Sequence, residues 1–226
     1  MTYAFAKRLK VLFLLLGLLS TAACSGQSQD TQPKDELLTE SNILLGYDAI
    51  PATGQINLVI EIPAGTQQKW EAMKSGEGLV WDRKNGELRV ISYLPYPGNY
   101  GMIPRTLLPK SAGGDGDPLD VILLGSGLER GTVVQVHPIG VLRLLDGGEQ
   151  DDKIIAVPLT GPLSHISDIE QLDANYKGAT DIIEIWFSNY KGPGKMESLG
   201  YADAKAAWDM ITLASEAFEA KVMDSK

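Results

Sequence analysis

Three aspartates within six residues, on a glycine-rich stretch, are the side chains in this sequence best spaced to do chemistry together. The stretch is Gly113-Gly114-Asp115-Gly116-Asp117-Pro118-Leu119-Asp120. Glycine tolerates positive φ and proline fixes φ, so such a loop can direct all three carboxylates toward one point. Carboxylates that close repel unless a cation lies between them, and Mg²⁺ or Mn²⁺ takes oxygen ligands. The alternative is a solvated turn, since Asp and Gly are common turn residues.

A second acidic stretch, Asp146-Gly147-Gly148-Glu149-Gln150-Asp151-Asp152, precedes Lys153 and lies between two apolar runs. By itself this stretch predicts a solvated hairpin turn. Two such loops at strand ends can meet across one mouth of a small β-structure. Together they predict a site that holds several metal ions.

Isolated cations accompany the two acidic loops. Lys69 alternates with Glu71, Arg89 interrupts an apolar run, Lys153 opens one, and Lys191 follows Tyr190. Each of these side chains alone is more often a surface charge than a ligand contact. The only histidines are His137 and His165, and no Gly-Lys-Ser/Thr sequence occurs, so serine-triad, zinc-histidine and Walker-type chemistry have little support.

Composition describes a globular chain with an acidic balance. The 226 residues are 44% hydrophobic and 22% charged, enough for one generous domain or two small ones. The net charge of −9 argues against a nucleic-acid partner, because phosphate backbones need basic patches. An anionic substrate is still compatible, provided that metals and a few cations invert the local field.

The N-terminus is predicted to be a targeting segment. A basic region ending at Lys10 precedes the apolar run 11–19, and small residues at 20–23 lead to Cys24, the only cysteine. This arrangement resembles a bacterial lipoprotein signal peptide over residues 1–23, with Thr21 where that pattern usually has Leu. It implies lipidation of Cys24 and anchoring to a membrane of the cell envelope, facing the periplasm or the exterior. A plain signal peptide is the alternative. The polar residues 24–42 predict a flexible tether, which leaves a domain over residues 43–226.

Many short apolar runs separated by Gly and Pro predict a small closed barrel. Residues 56–62 alternate with period two, which places Glu61 opposite the isoleucine face, toward solvent or a cavity. Asn85-Gly86 predicts a hairpin between residues 78–81 and 87–91. Further strands are predicted at 121–124, at 132–145 with a break at Pro138 and Gly140, and at 153–157.

Two helices are predicted after the strands. The first places Ile183, Trp186, Phe187 and Tyr190 on one face and begins near Asp181. The second has an apolar face formed by Ala207, Ile211, Ala214, Phe218 and Val222. The predicted fold class is mainly β with flanking helices (α+β), a barrel with two main helices packed outside it.

Several motifs occur together in one order, and the set resembles the soluble, family I inorganic pyrophosphatases. The motifs are Ile60-Glu61-Ile62-Pro63-Ala64, Lys69-Trp70-Glu71, Tyr96-Pro97-Gly98-Asn99-Tyr100-Gly101, Asp115-Gly116-Asp117-Pro118-Leu119-Asp120 and Tyr190-Lys191. The resemblance covers about residues 57–195 and implies a five-stranded, OB-like closed barrel. It also implies Mg²⁺-dependent hydrolysis of pyrophosphate to two phosphates, with several ions per site and Mn²⁺ as a substitute.

The resemblance assigns roles to individual side chains. Metal ligands would be Asp115, Asp120, Asp151 and Asp146. Glu61 and Glu71 would order metal-bound waters, and Asp117 would take a proton from the attacking water. Phosphate oxygens would be bound by Lys69, Arg89, Lys153, Tyr190 and Lys191. Tyr96 and Tyr100 would line the pocket near the nucleophile and the leaving group.

Two departures and two alternatives accompany this interpretation. Arg83 is an alternative to Arg89 as the phosphate ligand, and Gly147 stands where many bacterial members carry a second acid. The leader is unusual, since the family is typically cytosolic. The alternatives are a catalytically silent metal- or phosphate-binding lipoprotein and a less specific Mg²⁺-dependent phosphatase of nucleotides or polyphosphate. The sequence also leaves open whether the protein forms a homo-oligomer.

Overall fold

The fold is known from a computed structural model, which describes residues 35–114 and 116–224. The strands in chain order are β1 Glu36–Leu38, β2 Ile56–Ile62, β3 Trp70–Ala72, β4 Gly78–Trp81, β5 Arg83–Lys84, β6 Glu87–Leu88, β7 Asn99–Met102, β8 Asp120–Leu123, β9 Val133–Asp146, β10 Glu149–Gln150, β11 Lys153–Pro158 and β12 Met196–Ala202. The helices are a 3₁₀ turn at Lys110–Ala112, then α1 Ile169–Asn175, α2 Ala179–Asn189 and α3 Ala204–Asp224. The fold is therefore mainly β with a few helices, as predicted.

Five strands form a ring of hydrogen-bonded neighbours in the order β9-β11-β8-β7-β2. The ring closes because β2 pairs with both β7 and β9. β8 and β11 run parallel, and the other neighbouring pairs of the ring run antiparallel. β10 and β12 pair with β9 outside the ring. The parallel pair matters most for function, since it sets the starts of β8 and β11 side by side.

β2 forms over the predicted residues, but its two faces differ from the prediction. All seven residues are buried, and the register against β7 shifts between Ile60 and Ile62. Leu58 and Ile60 therefore pack in one core cluster, while Ile62 joins Val59 in the other. A β-bulge of this kind re-aims one side chain, and here that side chain is Glu61.

β9 is continuous where a break was predicted. The strand runs for 14 residues through Pro138 and Gly140. The irregularity is a register shift against β11, where Ile155 lies opposite Gly140 and Ala156 opposite Pro138. A bulge tolerates proline, because the local ladder no longer needs its missing N–H. Gly140 is required by close packing, since a Cβ there would lie 2.7 Å from the Ala202 carbonyl oxygen.

A smaller sheet, in the order β1-β4-β3, changes the predicted boundary of the domain. β1 lies within residues 24–42, the segment predicted to be a flexible tether, and it pairs antiparallel with β4. The backbone N–H of Trp81 donates to the Asp35 carbonyl oxygen at 2.8 Å. The tether prediction is therefore wrong for residues 36–38, because a polar composition does not reveal pairing with a distant strand.

The hairpin turn occurs where predicted, but its arms are shorter. Asn85 and Gly86 have φ of 56° and 85°, the left-handed conformations that a tight two-residue hairpin requires. β5 and β6 pair over only two residues each, because β4 pairs with β1 and β3 instead.

The two predicted helices are confirmed as α2 and α3. Ile183, Trp186 and Phe187 of α2 pack into one core cluster. Ala207, Ile211 and Ala214 of α3 pack into the other. α1 and β12 were not predicted. Within the described ranges, no helix has the length and apolar character that crossing a bilayer requires.

Candidate active site

Lys153 connects the two acidic loops. In the parallel pair of β8 and β11, Ile154 lies opposite Val121, so Lys153 lies beside Asp120. The Lys153 Nζ donates to Asp120 Oδ2 and to Asp151 Oδ1, each at 2.6 Å, and its side chain is only 2% exposed. One ammonium group therefore draws carboxylates from both loops to one place.

Lys153 and Asp120 are held in their charged forms. Burial alone would lower the pKa of Lys153, but Asp120 and Asp151 raise it above its ordinary value. Burial would likewise raise the pKa of Asp120, but Lys153 and a hydrogen bond from the Tyr100 hydroxyl lower it overall. Such a buried pair is stable only when its hydrogen bonds are satisfied, as they are here.

Lys191 makes a second connection between cations and the acidic loop after β9. Its Nζ lies 2.6 Å from Asp146 Oδ2 and 3.6 Å from Asp151 Oδ2. It also lies 5.4 Å from the centroid of the Tyr190 ring. Asp146 and Asp151, at the two ends of this loop, thus converge on the end of α2.

Arg89 and Lys69 lie on neighbouring segments that Asp82 holds together. The Arg89 Nη1 donates to Asp82 Oδ2 at 2.9 Å, and the Arg89 N–H donates to the Asp82 carbonyl oxygen at 2.8 Å. Asp82 in turn donates its N–H to the Lys69 carbonyl oxygen at 2.8 Å. Arg83 lies elsewhere, in an exposed ion pair with Asp35 at 2.7 Å. This placement favours Arg89 over Arg83 as a ligand contact.

A cavity of about 410 Å³ collects several of the predicted phosphate-binding groups. Its lining includes four cations, a phenol and one carboxylate: Lys84, Arg89, Lys191, Lys195, Tyr190 and Asp146. The volume lies within the ordinary range for ligand sites, roughly 300–1,000 Å³. Positive charge facing a cavity of this size suits a small polyanion.

Aromatic packing fixes the two predicted pocket tyrosines. The centroids of the Tyr96 and Tyr100 rings are 5.4 Å apart, and Tyr96 lies 4.4 Å from Trp186. Trp186 stacks on Tyr190 at 4.7 Å. Burial raises the pKa of both Tyr96 and Tyr100 well above the ordinary value, so both hydroxyls stay protonated and can donate hydrogen bonds.

Glu61 is buried near Lys69 and Asp120, so it does not point into solvent, which was one of the two alternatives that the sequence left open. Its Oε1 accepts a hydrogen bond from the Ala72 N–H at 2.8 Å. Burial raises the pKa of Glu61 to about 7, and Lys69 opposes part of that shift. Glu71, in β3, is exposed. Lys69 lies over the Tyr100 ring, 5.3 Å from its centroid.

Asp117 is not part of the cation-lined cavity. It lines a small cavity of about 40 Å³ together with Asp120, Asp151 and Asp152. Oxygen ligands of this type are what Mg²⁺ takes, and Lys153 occupies only one oxygen of Asp120 and one of Asp151. The donor set thus fits a hard divalent cation. Within residues 35–114 and 116–224 alone, no three carboxylate, His or Cys side chains converge closely enough to hold one ion.

Two predicted residues cannot be placed. Asp115, a predicted metal ligand, and Cys24, the predicted lipidation site, both lie outside the described residues. The predicted signal peptide, residues 1–23, also lies outside them.

Sequence reasoning missed several residues that support the site. Asp82 positions Arg89, and Asp152 accepts from the Leu144 N–H at 3.0 Å. Asn99 is fully buried and accepts from the backbone N–H groups of Ala64 and Leu128, at 3.1 and 2.8 Å. Asp82 lies beside Arg83 in a short polar stretch, but that position does not reveal its contact with Arg89. A buried asparagine gives no comparable signal, since its partners are distant in sequence.

Residues 58–219 match the inorganic pyrophosphatase family. The chain is 35% identical to the inorganic pyrophosphatase of Synechocystis sp., with 72% of this chain and 91% of that protein covered. It is 37% identical to the mitochondrial inorganic pyrophosphatase of Saccharomyces cerevisiae, and it spans 51% of that longer protein. The solved inorganic pyrophosphatase of Thermus thermophilus superposes with a TM-score of 0.67 and 28% identity, covering 79% of this chain and 99% of the other.

These similarities define the class: the chain belongs to the inorganic pyrophosphatase family. It is accordingly a hydrolase that cleaves pyrophosphate into two phosphates.

Proposed function

We propose that the site around Lys153 hydrolyses pyrophosphate with Mg²⁺, using the residue roles that the family resemblance implies. The observation that carries this proposal is the pair of salt bridges made by Lys153. Its buried ammonium group contacts a carboxylate of each acidic loop at 2.6 Å. A carboxylate-rich region and a cation-lined cavity thus adjoin one another. The first suits metal ions, and the second suits the phosphate groups of the substrate.

In this proposal the ring of five strands is a closed, OB-like barrel. The order β9-β11-β8-β7-β2 with its closing β2–β9 pair supports it. Closure would remove the free edges that an open sheet exposes. It would also fix the starts of β8 and β11, and hence Asp120 and Lys153, as rigid neighbours.

Asp120, Asp151 and Asp146, together with Asp115, would hold Mg²⁺, while Glu61 and Glu71 would orient bound waters. When bound, the ions supply positive charge for the attacking and leaving oxygens and make the water more acidic. Asp117 would accept the proton of the attacking water, which general-base catalysis requires.

The cation-lined cavity and its neighbours would hold the substrate. Arg89, Lys191 and Tyr190 would donate hydrogen bonds to phosphate oxygens, as would Lys69 and Lys153. Fixed donors of this kind stabilise the charge that develops during phosphoryl transfer. Tyr96 and Tyr100, protonated because burial raises the pKa of each hydroxyl, would line the pocket near the attacking and leaving groups.

Phosphate release from pyrophosphate by the full-length protein in mild detergent tests this function. We expect turnover with Mg²⁺ and a loss of at least about a hundredfold in kcat for Asp117→Asn, the usual size of a general-base effect. The matched control is Asp224→Asn, at the end of α3, which should keep wild-type turnover. Undiminished turnover of Asp117→Asn would refute the proposed role of Asp117.

We also propose that the protein is a lipoprotein of the bacterial cell envelope, anchored through Cys24 and facing the periplasm or the exterior. The basic region, the short apolar run and the small residues before Cys24 support this proposal. Cys24→Ser should move the protein from the membrane fraction to the soluble fraction, and a matched Ser25→Ala variant should stay with the membrane. Retention of Cys24→Ser in membranes would contradict lipid anchoring at Cys24.

A further inference from the structure

Arg130 is a partly buried cation that the proposed function does not use. Its Nε donates to the backbone carbonyl oxygen of Glu61 at 2.9 Å, and its guanidinium carbon lies 4.3 Å from the centroid of the Trp70 ring. Within residues 35–114 and 116–224, no carboxylate forms an ion pair with Arg130. The carbonyl group and the aromatic face therefore replace the water that this charge has lost.

The contact with Glu61 lies where β2 is irregular. The register of β2 against β7 shifts beyond Ile60, which makes Glu61 the residue at the bulge. The Gly131 N–H donates to the Ile60 carbonyl oxygen at 2.8 Å, and the Ile60 N–H donates to the Thr132 carbonyl oxygen at 2.9 Å. These two bonds hold the segment after Arg130 against β2. The Arg130 side chain is thereby placed to hold the bulged residue by its carbonyl group.

The contact with Trp70 reaches the strand that binds the Glu61 carboxylate. Trp70 begins β3, and Ala72, the last residue of β3, donates its N–H to Glu61 Oε1 at 2.8 Å. The Trp70 ring also stacks on Trp81, with 5.7 Å between the ring centroids. Arg130 thus contacts the backbone of Glu61 directly and, through Trp70, the strand that holds the Glu61 carboxylate.

The Trp70 ring is not held by its polar atom. Its Nε1 is buried and has no hydrogen-bond partner among the described residues. Trp81, by contrast, donates its Nε1–H to the Arg89 carbonyl oxygen at 2.9 Å. The position of the Trp70 ring depends on packing, to which the guanidinium of Arg130 adds a cation–π contact. Loss of that guanidinium would therefore weaken the hold on the ring at the start of β3.

We propose that Arg130 is a positioning residue that fixes the orientation of the Glu61 carboxylate. This inference rests on the proposed function, in which Glu61 orients metal-bound waters. The guanidinium would hold Glu61 at two points, its carbonyl group through Nε and its carboxylate through Trp70 and the Ala72 N–H. Arg130 touches neither substrate nor metal in this proposal. Because it acts through Glu61, its loss should impair turnover without removing a phosphate contact.

Both contacts require an arginine at this position. A planar guanidinium can donate a hydrogen bond from Nε while it lies over an aromatic ring, whereas a lysine ammonium is a single point charge on a flexible stem. Arg130→Lys should therefore lose nearly as much kcat as Arg130→Gln. Wild-type turnover of Arg130→Lys would show that positive charge alone is sufficient, which would overturn the two-point hold on Glu61.

Steady-state hydrolysis of pyrophosphate by the full-length protein, in mild detergent with Mg²⁺, tests this role. Arg130→Gln should lower kcat by between about tenfold and a hundredfold, the effect of a small displacement of a positioned group. KM should stay near its wild-type value, because no substrate contact is lost. In a Glu61→Gln background, the same substitution should change kcat by less than about twofold, since Arg130 acts through Glu61. The charge-matched control is Arg143→Gln, an exposed arginine of β9, which should keep wild-type values.

Amide hydrogen exchange, followed by NMR in the metal-free protein, separates positioning from stability. The Ala72 amide, which binds Glu61 Oε1, should exchange at least about fivefold faster in Arg130→Gln, the size of one weakened hydrogen bond. The next amide, that of Met73, donates to the Gly78 carbonyl oxygen at 2.8 Å and should keep its wild-type rate. Loosening of the whole small sheet would accelerate exchange at both amides.

The outcomes distinguish failure of this inference from failure of the proposed function. Wild-type kcat for Arg130→Gln, or wild-type kcat for Glu61→Gln, overturns the positioning role and leaves pyrophosphate hydrolysis intact. Equal losses of kcat with and without Glu61, or equal acceleration at Ala72 and Met73, show a general structural role, which also overturns the inference. If Glu61→Gln turns over too slowly to measure, the comparison of the two amides decides. No pyrophosphate turnover by the wild type refutes the proposed function itself.

Discussion

Replacement of Lys153 by methionine tests the electrostatic centre of the site most directly. Methionine matches the length of the lysine stem and removes the ammonium group that binds Asp120 and Asp151. Those two carboxylates would then face each other without the charge that now separates them, on strands that the sheet holds together. We therefore expect the metal-free protein to lose stability, and Mg²⁺ to restore part of it by replacing the missing cation.

The size of the loss follows from burial. Lys153 is 2% exposed, and the side chains of Asp120 and Asp151 are 27% and 24% exposed. Breaking a fully buried ion pair costs about 3–5 kcal/mol. Because the carboxylates here are partly hydrated, we expect Lys153→Met to lower the free energy of unfolding by about 3 kcal/mol. In a domain of this size, that is a fall in Tm of roughly 6–12 °C.

The effect should depend on pH in a defined direction. The pKa of Asp120 lies below its ordinary value of 3.8, so its contribution to stability is present above that value and lost as pH falls further. The pKa of Lys153 lies above its ordinary value of 10.5, so its contribution is present below that value and lost at higher pH. The difference between wild type and Lys153→Met should therefore be largest between these two values and shrink below the acidic one.

Urea unfolding in EDTA, repeated with Mg²⁺ and across pH, measures this difference. The control is Lys205→Met, which breaks the exposed pair with Asp209 and should leave the unfolding midpoint at the wild-type urea concentration. If Lys153→Met unfolds at the wild-type urea concentration in EDTA, the lysine does not hold the carboxylates together, and the reasoning is refuted.

Three further predictions follow from the same geometry. Arg89→Ala should lower kcat/KM for pyrophosphate by about tenfold or more, while Arg83→Ala stays near wild type, and the reverse order would make Arg83 the ligand. Gly101→Ala should cost about 1–3 kcal/mol or more in urea unfolding, because its Cβ would overlap the Val59 carbonyl oxygen opposite the bulge; wild-type stability would mean that this close approach does not exist. EDTA should abolish phosphate release and added Mg²⁺ should restore it, whereas activity that persists in EDTA would exclude a metal requirement.

Local patterns predicted the elements whose side chains repeat with a clear period. β2 was identified from the alternation of its residue types, although all seven of its residues are buried, and α3 was identified from its apolar face. β1 and β12 were missed because both are defined by their partners, β4 and β9. The bulge at Glu61 was missed for the same reason: it exists only as a register shift against β7.

The chemistry of the site was easier to predict than its geometry. Residue types and motif order were enough to select Asp120, Lys153 and Asp151, but not to show that one lysine binds both aspartates. That contact depends on the parallel pairing of β8 with β11, which brings together residues 33 positions apart. Asp82 shows the same limit, because its role is defined only by its contact with Arg89.

The pairing of lysines with aspartates explains how an acidic protein can build a site for a polyanion. Lys153 and Lys191 each hold two carboxylates that would otherwise repel one another, so the proposed oxygen ligands for Mg²⁺ are drawn together in pairs. Because Lys191 has an aspartate partner, it does not present its full charge to the cavity. Among the cations that line the cavity, Lys84 and Lys195 are exposed and have no ion pair with a described residue. Lys153→Met and Arg89→Ala should therefore change different measured quantities, the stability of the metal-free protein and kcat/KM for pyrophosphate.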